Sequence, residues 1–233
     1  MQYAKRIAAK AALAEVTTVV GSRTDAVIGL GTGSTARLFV EELAALLKAA
    51  KGGLRIVGVP TSEATRAQAA SLGIPLLDNE GPWDIDVTVD GADEVSAGLD
   101  LIKGGGAAHA REKIVNFASK RNVIIVDSSK MSTRLGEKWP VPVEVLPFAH
   151  GTTRAHLAKH GNPVLRVKNG SVVYTDSGNP IYDLHIGPID DPGALDRELR
   201  AIPGVVETGF FVGRADVVIV AGESGVQRLD RKR

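Results

Sequence analysis

Four short segments of this chain bring together residue types that do chemistry, and each follows a run with strand character. The first is Gly29-Leu30-Gly31-Thr32-Gly33-Ser34-Thr35. Alternating glycines let backbone N–H groups approach an anion, Thr32, Ser34 and Thr35 add hydroxyls, and the helix that follows adds its dipole. A tight packing turn is the plain alternative. The segment lacks the lysine of a P-loop, and Ser34 stands where GxGxxG needs its third glycine, so a small phosphate fits better than a nucleotide. The second is Asp90-Gly91-Ala92-Asp93-Glu94. Crowded carboxylates raise the pKa of at least one member and allow proton exchange near neutrality. A solvated acidic turn, or a divalent-metal site without a histidine, are the other readings. The third is Lys103-Gly104-Gly105-Gly106. Consecutive glycines are costly in backbone entropy; close approach to a ligand is the natural reason, with Lys103 facing a developing oxyanion. Glu112 follows three positions after His109, so both can share a helix face, although a surface carboxylate and a packing histidine are the ordinary readings. The fourth, Asp127-Ser128-Ser129-Lys130, can hold a phosphate or sugar hydroxyls, or be a loop with a solvated lysine.

An anion cradle, a lysine and several carboxylates, with no thiol and no Ser-His-Asp arrangement, suit one kind of reaction. That is proton transfer at carbon beside the carbonyl of a phosphorylated metabolite, with a carboxylate as base and an ammonium and amides for the enediolate.

The elements that must position these segments are legible in the hydrophobic periodicity. The first sixteen residues are helix-like, and the helix from Ser34 puts Leu38, Leu43, Leu46 and Leu47 on one broad face. AVIGL from Ala26, LRIVGVP, a short IPLL at Ile74, DIDVTVD and NVIIVD read as strands, with helices after Thr61 and over AAHAREKIVNFASK. Strand–helix alternation from Ala26 to Asp127 predicts parallel βα units with helices on both sheet faces. The texture changes after about Lys138. WPVPVEVLP reads as a bordering strand, GTTRAHLAKHG as a short helix, and Asn169-Gly170 as a hairpin turn. NPIYDLHI, a helix beside Pro192 and GVVETGFF follow, before GRADVVIVAG returns to buried-strand character. The expected organisation is therefore α/β: residues 1–137 and 208–233 as the main domain, interrupted by a small α+β domain over 138–207.

Composition excludes other classes. The chain has 233 residues, 44% of them hydrophobic and 24% charged, as in ordinary globular proteins. Lys plus Arg 28 against Asp plus Glu 27 leaves no basic surplus for non-specific nucleic-acid binding. The absence of cysteine removes disulfides, thiolate nucleophiles and cysteine metal sites. Lys5, Arg6, Lys10 and Glu15 interrupt any apolar leader, and no run reaches the length of a spanning helix. A cytoplasmic protein without nucleic-acid or membrane partners is expected.

Six blocks, GLGTGST, VDGADE, KGGGAA with REK, VDSSK, PVEV and AIPGVVETG, resemble the A-type ribose-5-phosphate isomerases in sequence and in order, essentially end to end. The resemblance implies a Rossmann-like domain with a small ferredoxin-like domain inserted before the last strand. It implies interconversion of D-ribose 5-phosphate and D-ribulose 5-phosphate through a cis-enediolate, in the non-oxidative pentose phosphate pathway. It assigns Glu112 as general base, Asp90 and Asp93 to ring opening and hydroxyl protons, and Lys103 to the enediolate charge. Substrate and phosphate contacts fall on Gly31, Thr32, Gly33, Ser34, Thr35, Gly104, Gly105 and Lys130. No metal or cofactor is implied, and a homodimer or homotetramer is, the small domain supplying the contact. His109 departs from the family, where an aliphatic or small residue is common. A non-catalytic sugar-phosphate-binding effector module is the rival; it would keep the phosphate loop and need no base. A coenzyme A transferase-like enzyme would want its own glutamate nucleophile.

Overall fold

The structure, a computed structural model, describes residues 2–223 and 225–232, and Met1, Ser224 and Arg233 lie outside the described residues. Along the chain run α1 (Gln2–Val20), β1 (Asp25–Leu30), α2 (Ser34–Ala49), β2 (Arg55–Pro60), α3 (Glu63–Ser71), β3 (Val87–Asp90), β4 (Glu94–Val95), β5 (Leu101–Ile102), α4 (His109–Phe117) and β6 (Asn122–Asp127). A 3-10 turn at Ser128–Lys130 leads to β7 (Val141–Val145), α5 (His150–Leu157), β8 (Asn162–Leu165), β9 (Val167–Lys168), β10 (Ser171–Val172) and β11 (Ile181–His185). The chain closes with α6 (Pro192–Arg200), β12 (Val205–Thr208), β13 (Phe210–Phe211), β14 (Val217–Gly222) and β15 (Gly225–Asp230).

These elements form two compact units, one of Met1–Gly91, Arg111–Ser129 and Arg214–Arg233, the other of Ala92–Ala110 and Lys130–Gly213. The first holds a sheet of order β2-β1-β3-β6-β14-β15, parallel except for β15. Successive strand residues face opposite ways. Ala26, Ile28 and Leu30 of β1 meet α1 and α2 in one core with Ala8, Ala12, Val16, Phe39 and Leu43. Val27 points into a second cluster with Val59, Ile85 and Val115 of α4. Both faces are therefore covered, as a parallel sheet requires. Counting only this sheet's strands, the order 2-1-3-4-5 is doubly wound, and its direction reverses between β1 and β3, where such folds bind ligands. Asp86, just before β3, ties the start of that strand to β1: its carboxylate accepts from the Val27 amide at 3.0 Å, Arg23 at 3.0 Å and Lys120 at 3.4 Å. Burial pushes this carboxyl up, but the Val27 amide, Arg23 and Lys120 together hold it below its ordinary range.

In the second unit a four-stranded antiparallel sheet has the order β12-β7-β11-β8. With α5 after β7 and α6 after β11, this is a ferredoxin-like βαββαβ arrangement. Its core gathers Val141, Val143, Val145, Leu157, Tyr182, Leu184 and Leu199. Asp191 caps α6 by accepting from the Ala194 amide at 2.8 Å, with Pro192 at the helix start. Lys168 pairs with Ser171 across Asn169-Gly170, both at positive φ, so the hairpin expected there is present.

The structure differs from the sequence expectation in several places. IPLL makes only an isolated bridge, Gly58 to Leu76. WPVPVEVLP borders nothing: β7 is internal and wholly buried, and the pairing of β12 ends at Val143, beside Pro142, whose carbonyl takes the Gly209 amide at 2.7 Å. GVVETGFF divides into β12 and β13, because Phe210 and Phe211 leave the four-stranded sheet to pair with Ile102 and Leu101 of β5. Together with β4, those strands form a small third sheet. The second unit takes in 92–110, 130–137 and 208–213 with 138–207; this pairing joins 208–213 to 92–110, and Glu94 joins 132–139 to them. β14 is followed by β15, whose polar, mostly exposed residues carry little hydrophobic signal.

Candidate active site

In the first unit, the phosphate-type loop leaves β1 beside the end of β3. The Gly31 amide donates to the Val89 carbonyl at 3.0 Å, and Asp90 accepts from the Thr32 amide at 3.0 Å and the Gly91 amide at 2.7 Å. Asp90, 2% exposed, is thus set against the loop at the point where strand order reverses. Gly31 allows this closeness, since a Cβ there would lie 2.5 Å from Asp90 Cα. Gly33, at φ 116, turns the chain into α2. The amides of a helix's first turn have no intrahelical acceptor, which suits an anion at Ser34 and Thr35. Thr32 differs from expectation. Its hydroxyl lies 2.8 Å from both Thr61 and Ser62, in a hydroxyl cluster closed by Thr65, so it braces the loop.

Two residues passed over in the sequence join this loop. Lys5 of α1 donates to Ser34 Oγ at 2.9 Å. Arg37, one turn into α2, lines with Thr32, Gly33, Ser34, Thr65 and Gln68 an open cleft of about 550 Å³. Lys5 carried no local signal, because only folding brings it across 29 positions. Arg37 carried a weak one, as a cation one turn after the glycines. In the same unit Glu112 sits in the first turn of α4 and is 4% exposed. The bland reading of a surface carboxylate does not hold.

The second unit carries the remaining candidates. Asp93 is anchored by its amide on the Ile102 carbonyl at 2.9 Å, and its carboxylate accepts from the Gly105 amide at 2.6 Å. Gly105 has to be glycine for this bond, because a Cβ would meet Asp93 Oδ1 at 2.5 Å. Lys103, 2% exposed, has its amide on the Gly209 carbonyl at 2.9 Å and its ammonium 5.4 Å from the Phe211 ring centre. Lys130 lies with its ammonium 4.9 Å from the Trp139 ring centre. Glu94 is structural: fully buried, it accepts from Ser132 Oγ at 2.6 Å and the amides of Gly136, Lys138 and Trp139. Asp90, Asp93 and Glu94 are each turned to donors of their own. His109 is the packing histidine: 0% exposed, it sits 3.3 Å from the Glu207 carbonyl. Among the described residues, no group of three or more His, Cys, Asp or Glu could hold a metal ion.

The family model for ribose 5-phosphate isomerase A (phosphoriboisomerase A) matches residues 57–225. A ribose-5-phosphate isomerase A from Bradyrhizobium diazoefficiens is 44% identical, over 100% of this chain and 98% of its own length. The solved ribose 5-phosphate isomerase from Plasmodium falciparum superposes with a TM-score of 0.93 at 36% identity, covering 100% of both chains. A D-ribose-5-phosphate isomerase solved in complex with phospho-erythronic acid gives 0.91 at 41% identity, covering 99% of each. None of these matches supports a non-catalytic effector module. A phosphate-type loop at the switch point, a buried glutamate opening α4 and end-to-end likeness to these enzymes lead to the same conclusion: the chain belongs to the ribose 5-phosphate isomerase A family and is an aldose–ketose isomerase of the pentose phosphate pathway.

Proposed function

We propose that Glu112 is the general base that moves a proton between C2 of D-ribose 5-phosphate and C1 of the cis-enediolate, giving D-ribulose 5-phosphate. One observation carries this reading: a glutamate withdrawn from solvent in the first turn of the helix that follows the triple glycine. Asp90 and Asp93 handle the ring and hydroxyl oxygens, each already oriented by backbone amides. Lys103 offsets charge on the enediolate oxygens, where an ammonium in a dry site acts most strongly. The phosphate is received by the amides of Gly33, Ser34 and Thr35 with the help of Lys5, and Lys130 adds charge. That a relative was solved with phospho-erythronic acid, a phosphorylated acid, supports a substrate of this class.

Self-association into a dimer or tetramer belongs to the same reading. It is supported by exposed apolar side chains on the second unit, among them Leu146, Val164, Val206 and Phe148, the last 89% exposed. The cytoplasm is the proposed compartment, because charged sugar phosphates do not cross a bilayer unaided and are isomerised where they are made.

The test is Glu112→Gln, which keeps shape and hydrogen bonding but accepts no proton. Turnover should fall by roughly 10²–10⁴ with KM little changed. Near-normal turnover in the folded variant would remove Glu112 from the mechanism.

A further inference from the structure

We infer that Arg166, paired with Asp183, is a positioning residue for the reaction, acting on Asp93 through the single peptide group that joins Gly104 to Gly105. All of these residues lie within the second unit. Arg166 follows β8, and its backbone is held on both sides: its amide donates to the Ile181 carbonyl at 2.9 Å, and its carbonyl accepts from the Val173 amide at 3.0 Å. The guanidinium is half of a two-pronged pair, with Nε donating to Asp183 Oδ2 at 2.9 Å and Nη2 to Oδ1. Only 13% of the Arg166 side chain and 20% of that of Asp183 are exposed. A fork held this way on a carboxylate leaves its remaining nitrogen with a fixed direction.

That nitrogen, Nη1, donates to the Gly104 carbonyl at 2.6 Å. The same carbonyl also accepts from the Ala107 amide at 3.0 Å, so both of its lone pairs are taken. Across the rigid peptide plane, the Gly105 N–H donates to Asp93 Oδ2 at 2.6 Å. A cation on the carbonyl end polarises the amide and strengthens the bond made by its N–H end. The plane's tilt, fixed by Arg166, sets where the Asp93 oxygen rests.

Gly104 makes the arrangement dependent on an external hold. It lies at φ 111, a conformation that side-chain-bearing residues rarely adopt, and a Cβ there would meet His109 Nδ1 at 2.8 Å and Pro142 Cγ at 3.0 Å. A glycine run with such freedom has no preference of its own for this one orientation. Lys138 and Lys130 are nearer in sequence to the catalytic blocks, yet the hold comes from position 166, on the strand system of the ferredoxin-like sheet.

The inference rests on the reading that Asp93 works on substrate, and the experiment separates the two. Arg166→Lys keeps charge but cannot grip Asp183 with two nitrogens and reach Gly104 with a third. It should lower kcat by roughly 10–100-fold, the scale of a misplaced catalytic group, with KM changed less than about threefold. The second measurement is a double-mutant cycle with Asp93→Asn. In the Asp93→Asn background, Arg166→Lys should cost less than about threefold, because the group it orients is already gone. Wild-type kcat in Arg166→Lys, or the same fold-loss in both backgrounds, overturns the inference. A normal kcat in Asp93→Asn alone overturns the reading of Asp93 instead. Should Arg166→Lys melt early, Asp183→Asn carries the test. It keeps the arginine but loosens its fork, and it should give a smaller kcat loss with the same dependence on Asp93; its absence counts against the inference.

Discussion

A methyl group at Gly31 is the sharpest probe of how tightly the loop and Asp90 are fitted. Gly31 is not at positive φ, so alanine is tolerated by its backbone and the penalty is purely steric. The added Cβ would lie 2.5 Å from Asp90 Cα, with the carboxylate nearer still. Carbon atoms rest about 3.5–4.0 Å apart, so roughly 1 Å of movement is needed. The loop cannot supply it freely, since Gly31 is hydrogen-bonded to Val89 and Thr32 to Asp90. Overpacking of this kind costs about 1–3 kcal/mol, which for a chain of this size lowers the melting temperature by roughly 3–10 °C. Displacing Asp90 by about 1 Å should reduce kcat by roughly 100-fold. Thermal melts and steady-state kinetics on Gly31→Ala measure both, with Gly58→Ala as control. There the nearest atoms to the new Cβ are Leu30 Cδ1 at 2.6 Å, Leu76 Cδ2 at 2.9 Å and Leu30 Cγ at 3.3 Å, all on flexible side chains, so stability should fall while kcat per folded molecule holds. Equal losses of kcat in the two variants would refute the fitted contact between Gly31 and Asp90.

Asp86→Asn should remove a source of stability that depends on acid pH. The folded carboxyl is held below its unfolded value of 3.8, so its contribution is complete above that value and disappears as pH falls through the lower folded one. Urea titrations should show the wild type losing more stability than the variant over that acid window, and parallel curves would discount the Arg23–Asp86–Lys120 group. Exhaustive chelation and dialysis should leave isomerase activity unchanged, given a donor set of carboxylates that each face amides. Loss reversed only by a divalent ion would make Asp90, Asp93 and Glu94 metal ligands.

The βα alternation, the phosphate-type loop and the two-residue hairpin were legible because each rests on local chemistry. A periodic apolar face, a strand-to-helix glycine turn and Asn169-Gly170 need no distant partner to declare themselves. What stayed hidden depends on pairing across long separations. β4 and β5 are two residues each, too short for any periodic signal, and β5 is held between β4 on one side and Phe210 and Phe211, far along the chain, on the other. β7 looked peripheral because of its prolines, yet tertiary pairing on both sides put it inside its sheet. Glu94 and Asp93 stand side by side in sequence with the same charge. Only the fold separates a buried anchor for 132–139 from a carboxylate turned to the glycine loop.

The order of strands in the first unit also bears on how the chain is made. β6, NVIIVD, is buried along its whole length and lies between β3 and β14. Its β14 partner belongs to the segment Arg214–Arg233, which leaves the ribosome only after the whole second unit has been synthesised. Throughout that interval β6 presents one apolar edge with its hydrogen-bonding groups unclaimed, the kind of surface that nascent chains use to stick to one another. β14 must then insert in parallel alongside it, a pairing with high loop-closure cost, before β15 folds back as an antiparallel cover. β15 carries two charged residues, Arg228 and Asp230, on a mostly exposed run, whereas β6 is buried throughout. On this side the finished sheet therefore ends on a solvated strand bearing charged side chains, and the apolar edge of β6 is open only during synthesis.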